Sequence, residues 1–226
     1  MEQLRFNFFH QIHQALRALM YHASITVQHT DFTNPDQTNK TIALLKEMLA
    51  FFEGHAHTED SLVFPMLDAF APEVVADFEA QHILDHQLGE NLALGIEFVL
   101  TAVSDAEKTV AGRYLQRVLA EFTAFNLSHM NKEESTVLEI LHRHYTDEQL
   151  HEKEQEIVAS LSEEKKALSG YWMLKGLSLP EIINWYKGIQ ETAPSFVFDR
   201  FMGLAEKALS ADKLKTLQQH LQPSLV

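Results

Sequence analysis

Phe51-Phe52-Glu53-Gly54-His55-Ala56-His57-Thr58-Glu59-Asp60-Ser61 sets an imidazole and a carboxylate four residues apart inside an apolar pattern. On a helix that spacing stacks His55 and Glu59 one turn apart on the same face. The stripe they share carries Met48, Phe52, Leu62 and Met66, which a water-soluble helix turns inward. A second stretch, Glu121-Phe122-Thr123-Ala124-Phe125-Asn126-Leu127-Ser128-His129-Met130-Asn131-Lys132-Glu133-Glu134-Ser135, repeats the pattern with His129 on His55. Polar pairs on buried stripes are costly unless something pairs with them. The fold and the chemistry both turn on what surrounds these two stretches.

Eight Gly and six Pro in 226 residues leave long uninterrupted segments, the mark of helices rather than many short strands. The first helix is expected from about Leu4 to Gln28, followed by the turn Asp31-Phe32-Thr33-Asn34-Pro35-Asp36. The second runs from about Gln37 to Phe70, with Pro65 tightening its last turn. Ala71-Pro72-Glu73 opens a third, reaching about Val103, because proline suits a first helical position. Ser104-Asp105-Ala106-Glu107 is a cap with an acid at the third position, and starts a fourth that reaches about His144. Four long helices with short connections predict an all-α, up-down-up-down four-helix bundle over residues 1–148.

Residues 149–226 are expected to form a C-terminal helical extension packed on that bundle. Thr146-Asp147-Glu148 caps a charged helix through about Ala167; Gly170, Gly176 and Pro180 then break the chain into pieces at Leu179 to Gln190 and Pro194 to about Leu221. Trp172, Met173, Leu174, Trp185, Tyr186, Phe196, Phe198 and Phe201 need an apolar surface to cover them.

Composition narrows the function. Eighteen Lys and Arg against 32 Asp and Glu give a formal charge of −14, without the basic patch that a phosphate backbone or an anionic membrane would need. Nucleic-acid and membrane partners are therefore not expected. Apolar runs fall far short of the roughly 20 residues of a membrane span, and Glu2, Arg5 and nearby His spoil a signal core, so the expected address is cytoplasmic. With no Cys, thiolate zinc sites, iron–sulfur clusters and thiol catalysis are excluded. Any metal is held by nitrogen and oxygen.

The other two helices carry histidine on their apolar stripes as well. Phe6, Phe9, His13, Leu16, Met20 and Val27 make the first; Val75, Phe78, His82, His86, Gly89, Ala93, Ile96 and Leu100 make the third; and Val118, Phe122, Phe125, His129, Glu133, Val137 and Ile140 make the fourth. Antiparallel neighbours meet at one height when their residues lie equally far from the shared turn, at about 1.5 Å per residue. His13 and His55 each lie about 21 residues from Asn34, and His55 and Glu59 match His82 and His86 about the Phe70 turn. About Ser104, His129 lies roughly 5 Å off the level of His82 and 10 Å off that of His86. Five imidazoles and two carboxylates at one depth suit a metal cluster, and nitrogen and oxygen donors fit iron, manganese or zinc. His57 has less apolar helical neighbours than His55. His10 and His22 flank their stripe, and His142, His144, His151 and His220 lie beyond the seams and are expected in solvent.

Phe9…His13 also aligns with Phe78…His82, so the chain reads as two helix pairs related by a pseudo-twofold, each giving a His and then a His-x-x-x-Glu. On these residues residues 1–148 resemble the hemerythrin-like HHE cation-binding family. The resemblance implies a four-helix bundle around a non-haem di-iron centre. His13, His55, Glu59, His82, His86, His129 and Glu133 then stand at metal-ligand positions, and Glu59 and Glu133 bridge the two metals. Oxygen-carrying members place an aspartate five residues after the last histidine, where this chain has Glu134; Glu133 keeps the phase of the apolar stripe. The tail from Trp172 to Pro194 is similar to segments that follow hemerythrin repeats in plant iron-regulated ubiquitin ligases, which also carry cysteine-rich zinc domains.

The expected function is a di-iron protein that binds oxygen, another small diatomic or peroxide as sensor, store or scavenger. No catalytic residue is assigned. Two other readings stay open: a di-iron enzyme turning over peroxide or nitric oxide, and an iron-responsive interaction module that offers its C-terminal extension to a protein partner when metal is absent.

Overall fold

A computed structural model describes residues 5–222; Leu4, the expected start of the first helix, lies outside the described residues. The described chain is all-α, without a strand. Its helices are α1 (His10–His29), α2 (Pro35–Thr58), α3 (Pro72–Thr101), α4 (Asp105–Lys132), α5 (Leu138–His144), α6 (Asp147–Ser160), α7 (Glu163–Gly176), α8 (Leu179–Thr192), α9 (Ser195–Ala208) and α10 (Ala211–Leu221). Two compact units divide these residues. One holds residues up to Phe9 and Leu19–Ala159, the other His10–Ala18 and the chain from Ser160, so α1 is an unbroken helix with a half in each.

The helix starts follow local chemistry. The Asn34 side chain accepts the N–H groups of Asp36 and Gln37 with Pro35 at the first position of α2, Pro72 opens α3, and Ser104 and Glu107 form a reciprocal capping box on α4. α1 starts later than expected. The Asn7 side chain accepts the Phe9 N–H at 3.0 Å, which closes a turn. Arg5 donates to Asp147 Oδ1 at 2.9 Å and to the Tyr145 carbonyl at 2.8 Å, so residues 5–9 form a strap rather than a helical turn. Phe6 stacks on His151 at 3.8 Å instead of joining the α1 stripe.

In the first unit α3 runs antiparallel to α4 and to the segment of α2. Along α3 and α4 the pairs are Phe98 with Tyr114, Asp85 with Asn126, and His82 with His129, centred near Ala106 rather than Ser104. That offset absorbs the level mismatch expected for His82. Along α2 and α3 the pairs are Asp60 with His82 and Glu53 with His86.

Two features shift the buried faces from those expected. α2 and α4 each run into a five-residue π turn, Glu59–Val63 and Glu133–Val137. The wider turn inserts a residue and advances the inward phase by one. Val63 and Leu67 are therefore buried rather than Leu62 and Met66, and Leu141 rather than Ile140. Pro65 lies in the short 3-10 turn Phe64–Met66 and tightens the segment's end, as expected. On α3 the buried residues Val75, Phe78, His82, Asp85, Leu92, Ile96 and Val99, with half-buried Gly89, follow a three-four alternation, and Gly95 beside it is buried too. This is the 3.5-residue seam of supercoiled helices, and it leaves Ala93 and Leu100 outside. A core of Phe9, Val63, Phe64, Phe78, Val137, Leu141 and Leu150 fills one end of this unit.

The second unit has its own core, built on Leu174, Ile182, Tyr186, Ala205 and Leu217. The charged helix expected through Ala167 stops at Ser160, because the Ser162 side chain caps a new helix by accepting the Lys165 N–H. Gly170 does not break the chain; it lies inside α7, where a methyl group would come 3.4 Å from Leu204. Ser210 likewise caps α10, so the segment expected from Pro194 to Leu221 is two helices. Trp185, Tyr186 and Phe201 cover one another edge to face, while Phe196 remains exposed.

Candidate metal centre

Six of the seven expected site residues come together. Glu59, His82, His129 and Glu133 each offer an atom within 4.8 Å of the others, all four residues buried, and His13, His55, Glu59 and Glu133 do the same. The two carboxylates belong to both groups. Glu59 shows how: its Oε1 lies 3.2 Å from His55 Nε2 and its Oε2 3.4 Å from His82 Nε2, one oxygen toward each group. His129 Nε2 lies 3.2 Å from Glu133 Oε1, repeating the His55–Glu59 contact across the internal repeat. Glu59 is only 2 % exposed, and the carboxylate oxygens of both glutamates are sealed from solvent.

The local fold explains the placement. His55 and Glu59 span the junction of α2 with its π turn, as His129 and Glu133 span that of α4. Each glutamate is thus the first residue of the wider turn, and its helix has already presented the histidine on the same face. The same offset of 74 residues separates His55 from His129, Glu59 from Glu133 and Val63 from Val137.

His82 and His129 carry the most telling geometry. Their Nε2 atoms lie 3.1 Å apart. On the far side of the first ring, Nδ1 faces Asp60 Oδ1 at 2.7 Å; on the far side of the second, Nδ1 faces Gln81 Oε1 at 3.3 Å. Both outer partners can accept, so the tautomers that satisfy them, with the proton on Nδ1, would turn an Nε2 lone pair of each ring inward. Two lone pairs converging on one point are resolved by a cation and not by two neutral rings. Phe64 stacks on His82 at 5.2 Å and Phe125 on His129 at 5.8 Å, fixing the ring planes.

His86 is not brought to the cluster. Its side chain is 61 % exposed and faces Glu53 and Glu90, each at 3.5 Å. The three-four seam of α3 is the cause: from His82 the next inward step is three residues, to Asp85, and His86 lies about 100° further round. His86 was also the histidine with the larger level mismatch.

Asp85, which the sequence reading passed over, takes the inward place at 8 % exposure. Asn126 Nδ2 donates to its Oδ1 at 2.6 Å. Burial pushes the Asp85 carboxyl up from its ordinary value, against smaller opposing effects of the Asn126 hydrogen bond and of His129 and His82. Asp60 and Gln81 were missed as well. Asp60 follows Glu59 directly and aligns with Glu134 in the repeat, which was the available signal.

The histidines set aside fall as follows. His57 and His22 are exposed. His10 pairs with Glu181 at 2.6 Å, His142 is half-buried with Nε2 at 2.8 Å from the Phe6 carbonyl, and His144 and His151 stack on Phe70 and Phe6. His144 and His151 are exposed, as expected, and only half-buried His142 departs from the expectation that these residues lie in solvent.

No helix of the described residues is long and apolar enough to cross a membrane. No curated protein and no solved structure matches the chain. The model of the hemerythrin HHE cation-binding domain matches residues 5–141, which include every residue of the cluster. A fold of helices, a repeated His-x-x-x-Glu and a matching domain model agree, and the chain belongs to the hemerythrin HHE cation-binding domain family.

Proposed function

We propose that the chain is a non-haem dimetal protein, with iron as the working metal, that binds dioxygen or a related small ligand as sensor, store or scavenger. The observation that carries this reading is the sharing of Glu59 and Glu133 by two groups of imidazoles. His13 and His55 would hold one ion and His82 and His129 the other, with the two carboxylates shared between them. Four nitrogen and two carboxylate donors, without sulfur, fit iron and also manganese or zinc. Bound iron would supply the site's affinity for oxygen-family ligands. The protein fixes the imidazole tautomers through Asp60 and Gln81, and keeps bulk water out with Phe64, Phe78 and Phe125.

The expected fifth imidazole is missing from this site, because His86 faces outward. With a solvent oxygen also bridging, two imidazoles and two shared carboxylates would leave about one octahedral position on each ion, where a fifth imidazole would have left about one on the pair. That openness favours a second reading, turnover of peroxide or nitric oxide by the same centre. Elemental analysis with an optical spectrum tests the common part: about two irons per chain and an oxo-to-iron charge-transfer band are expected, and a chain purified with iron present that takes up none would overturn it. A reversible spectral change with oxygen supports binding, and sustained peroxide consumption supports the enzyme.

A further inference from the structure

The carboxylates and the remaining polar residues lie on opposite sides of the imidazoles. On α4 the order is Asn126, His129, Glu133. On α3, antiparallel to α2, the step from His82 to Asp85 leads toward Glu53 and away from Glu59. Glu59 and Glu133 therefore approach from one end, and Asp85 with Asn126 lies about 4.5 Å beyond the imidazole level at the other. With Glu59 and Glu133 holding two metals from the first side, an incoming ligand would approach from the second.

We propose that Asp85 and Asn126 form the wall that receives the exogenous ligand, with Asp85 donating a hydrogen bond to a small anion such as azide or peroxide. The proposal rests on the reading that Glu59 and Glu133 bridge two metals. Asn126 Nδ2 is committed to Asp85 Oδ1 at 2.6 Å and to the Phe122 carbonyl at 3.1 Å, so its amide is a holder. Oδ2 of Asp85 is the atom of the pair that can turn a proton toward a ligand. Burial favours the protonated carboxyl, and Glu53 pushes weakly in the same direction, while the Asn126 hydrogen bond, His129 and His82 oppose it. Farther along, Phe52 and Phe122 meet edge to face at 5.2 Å.

The test uses the iron-loaded full chain with azide as probe. Azide affinity is read from the optical titration, and the azide infrared stretch is compared in H2O and D2O. Wild type is expected to show a D2O-sensitive band. Asp85→Leu, at wild-type iron content, is expected to bind about tenfold to hundredfold more weakly and to lose that sensitivity. Asp85→Asn, close in shape and still a donor, is expected to keep both to within several-fold. Wild-type affinity in Asp85→Leu would overturn the proposal, and so would a wild-type band indifferent to D2O, a result that needs no variant to fold. Failure of wild type to load iron would instead overturn the dimetal reading beneath it.

Discussion

His82 and His129 face each other Nε2 to Nε2 at 3.1 Å, each held from behind by an oxygen acceptor on Nδ1. That relationship makes the ligands unequal in a measurable way. His82 belongs to one of the two groups that could hold a metal ion, whereas Glu59 belongs to both. His82→Ala is expected to lower bound metal from about two ions per chain to about one, and Glu59→Ala to leave less than one. His86→Ala, on the exposed face, is expected to keep wild-type content. Elemental analysis of the three variants, loaded side by side, checks this; equal content in all of them would contradict the assignment.

Asp60 holds His82 at 2.7 Å although its own side chain is 45 % exposed. A carboxylate behind a ligating imidazole fixes the tautomer and strengthens the donor, and its loss typically weakens metal affinity tenfold to a hundredfold. Asp60→Ala is expected to show a loss of that order in competition with a chelator, with Asp60→Asn in between because the amide oxygen still accepts. Thermal unfolding of the metal-free forms should barely change. Equal affinity in all three proteins would remove Asp60 from the site.

The contrast between His82 and His86 shows where the sequence was legible. The histidine-carboxylate spacing on α2 and α4 was readable because i and i+4 share a face in any helix, and the helix starts at Pro72 and Ser104 stood in plain view. His86, four residues after His82, satisfied the same local rule and still faces solvent. Which of i+3 and i+4 points inward depends on the supercoil of the whole bundle, a property of the packing between helices. The π turns at Glu59 and Glu133 left no spacing signal for the same reason: they displace Val63 and Leu141 by a residue only once the helix is seated. The tail read poorly because serine caps at Ser162 and Ser210 outweighed the glycine and proline on which its breaks were placed.

The metal-free protein offers a pH signature for Asp85. Burial raises its carboxyl above the ordinary 3.8, so between that value and the folded one the native chain retains a proton that the unfolded chain has released. Stability from this group is therefore present below the unfolded pKa and lost as pH rises through the folded pKa. Asp85→Asn removes the titration. In urea unfolding of the metal-free chains across acid to neutral pH, the variant is expected to gain on wild type as pH rises and then to hold a constant lead. Parallel curves would show that Asp85 is no harder to ionise in the folded chain than in the unfolded one.

Glycine supplies a test of packing with its controls built in. A methyl group on Gly112 would lie 2.3 Å from the Phe32 ring, and one on Gly176 2.2 Å from the Gln14 carbonyl oxygen. The first clash is with a side chain that can move at the expense of its burial, so Gly112→Ala is expected to cost about 1–3 kcal/mol. The second is with the backbone of α1, which cannot give without bending the helix, so Gly176→Ala is expected to cost more. Gly188 and Gly203 lie inside α8 and α9 with nothing within 4 Å of the added carbon. Alanine there removes backbone freedom from the unfolded chain without strain and is expected to stabilise by roughly 0.5–1 kcal/mol. Chemical denaturation of the four variants reads the order directly. Gly176→Ala as stable as Gly188→Ala would mean that α7 does not approach α1 so closely.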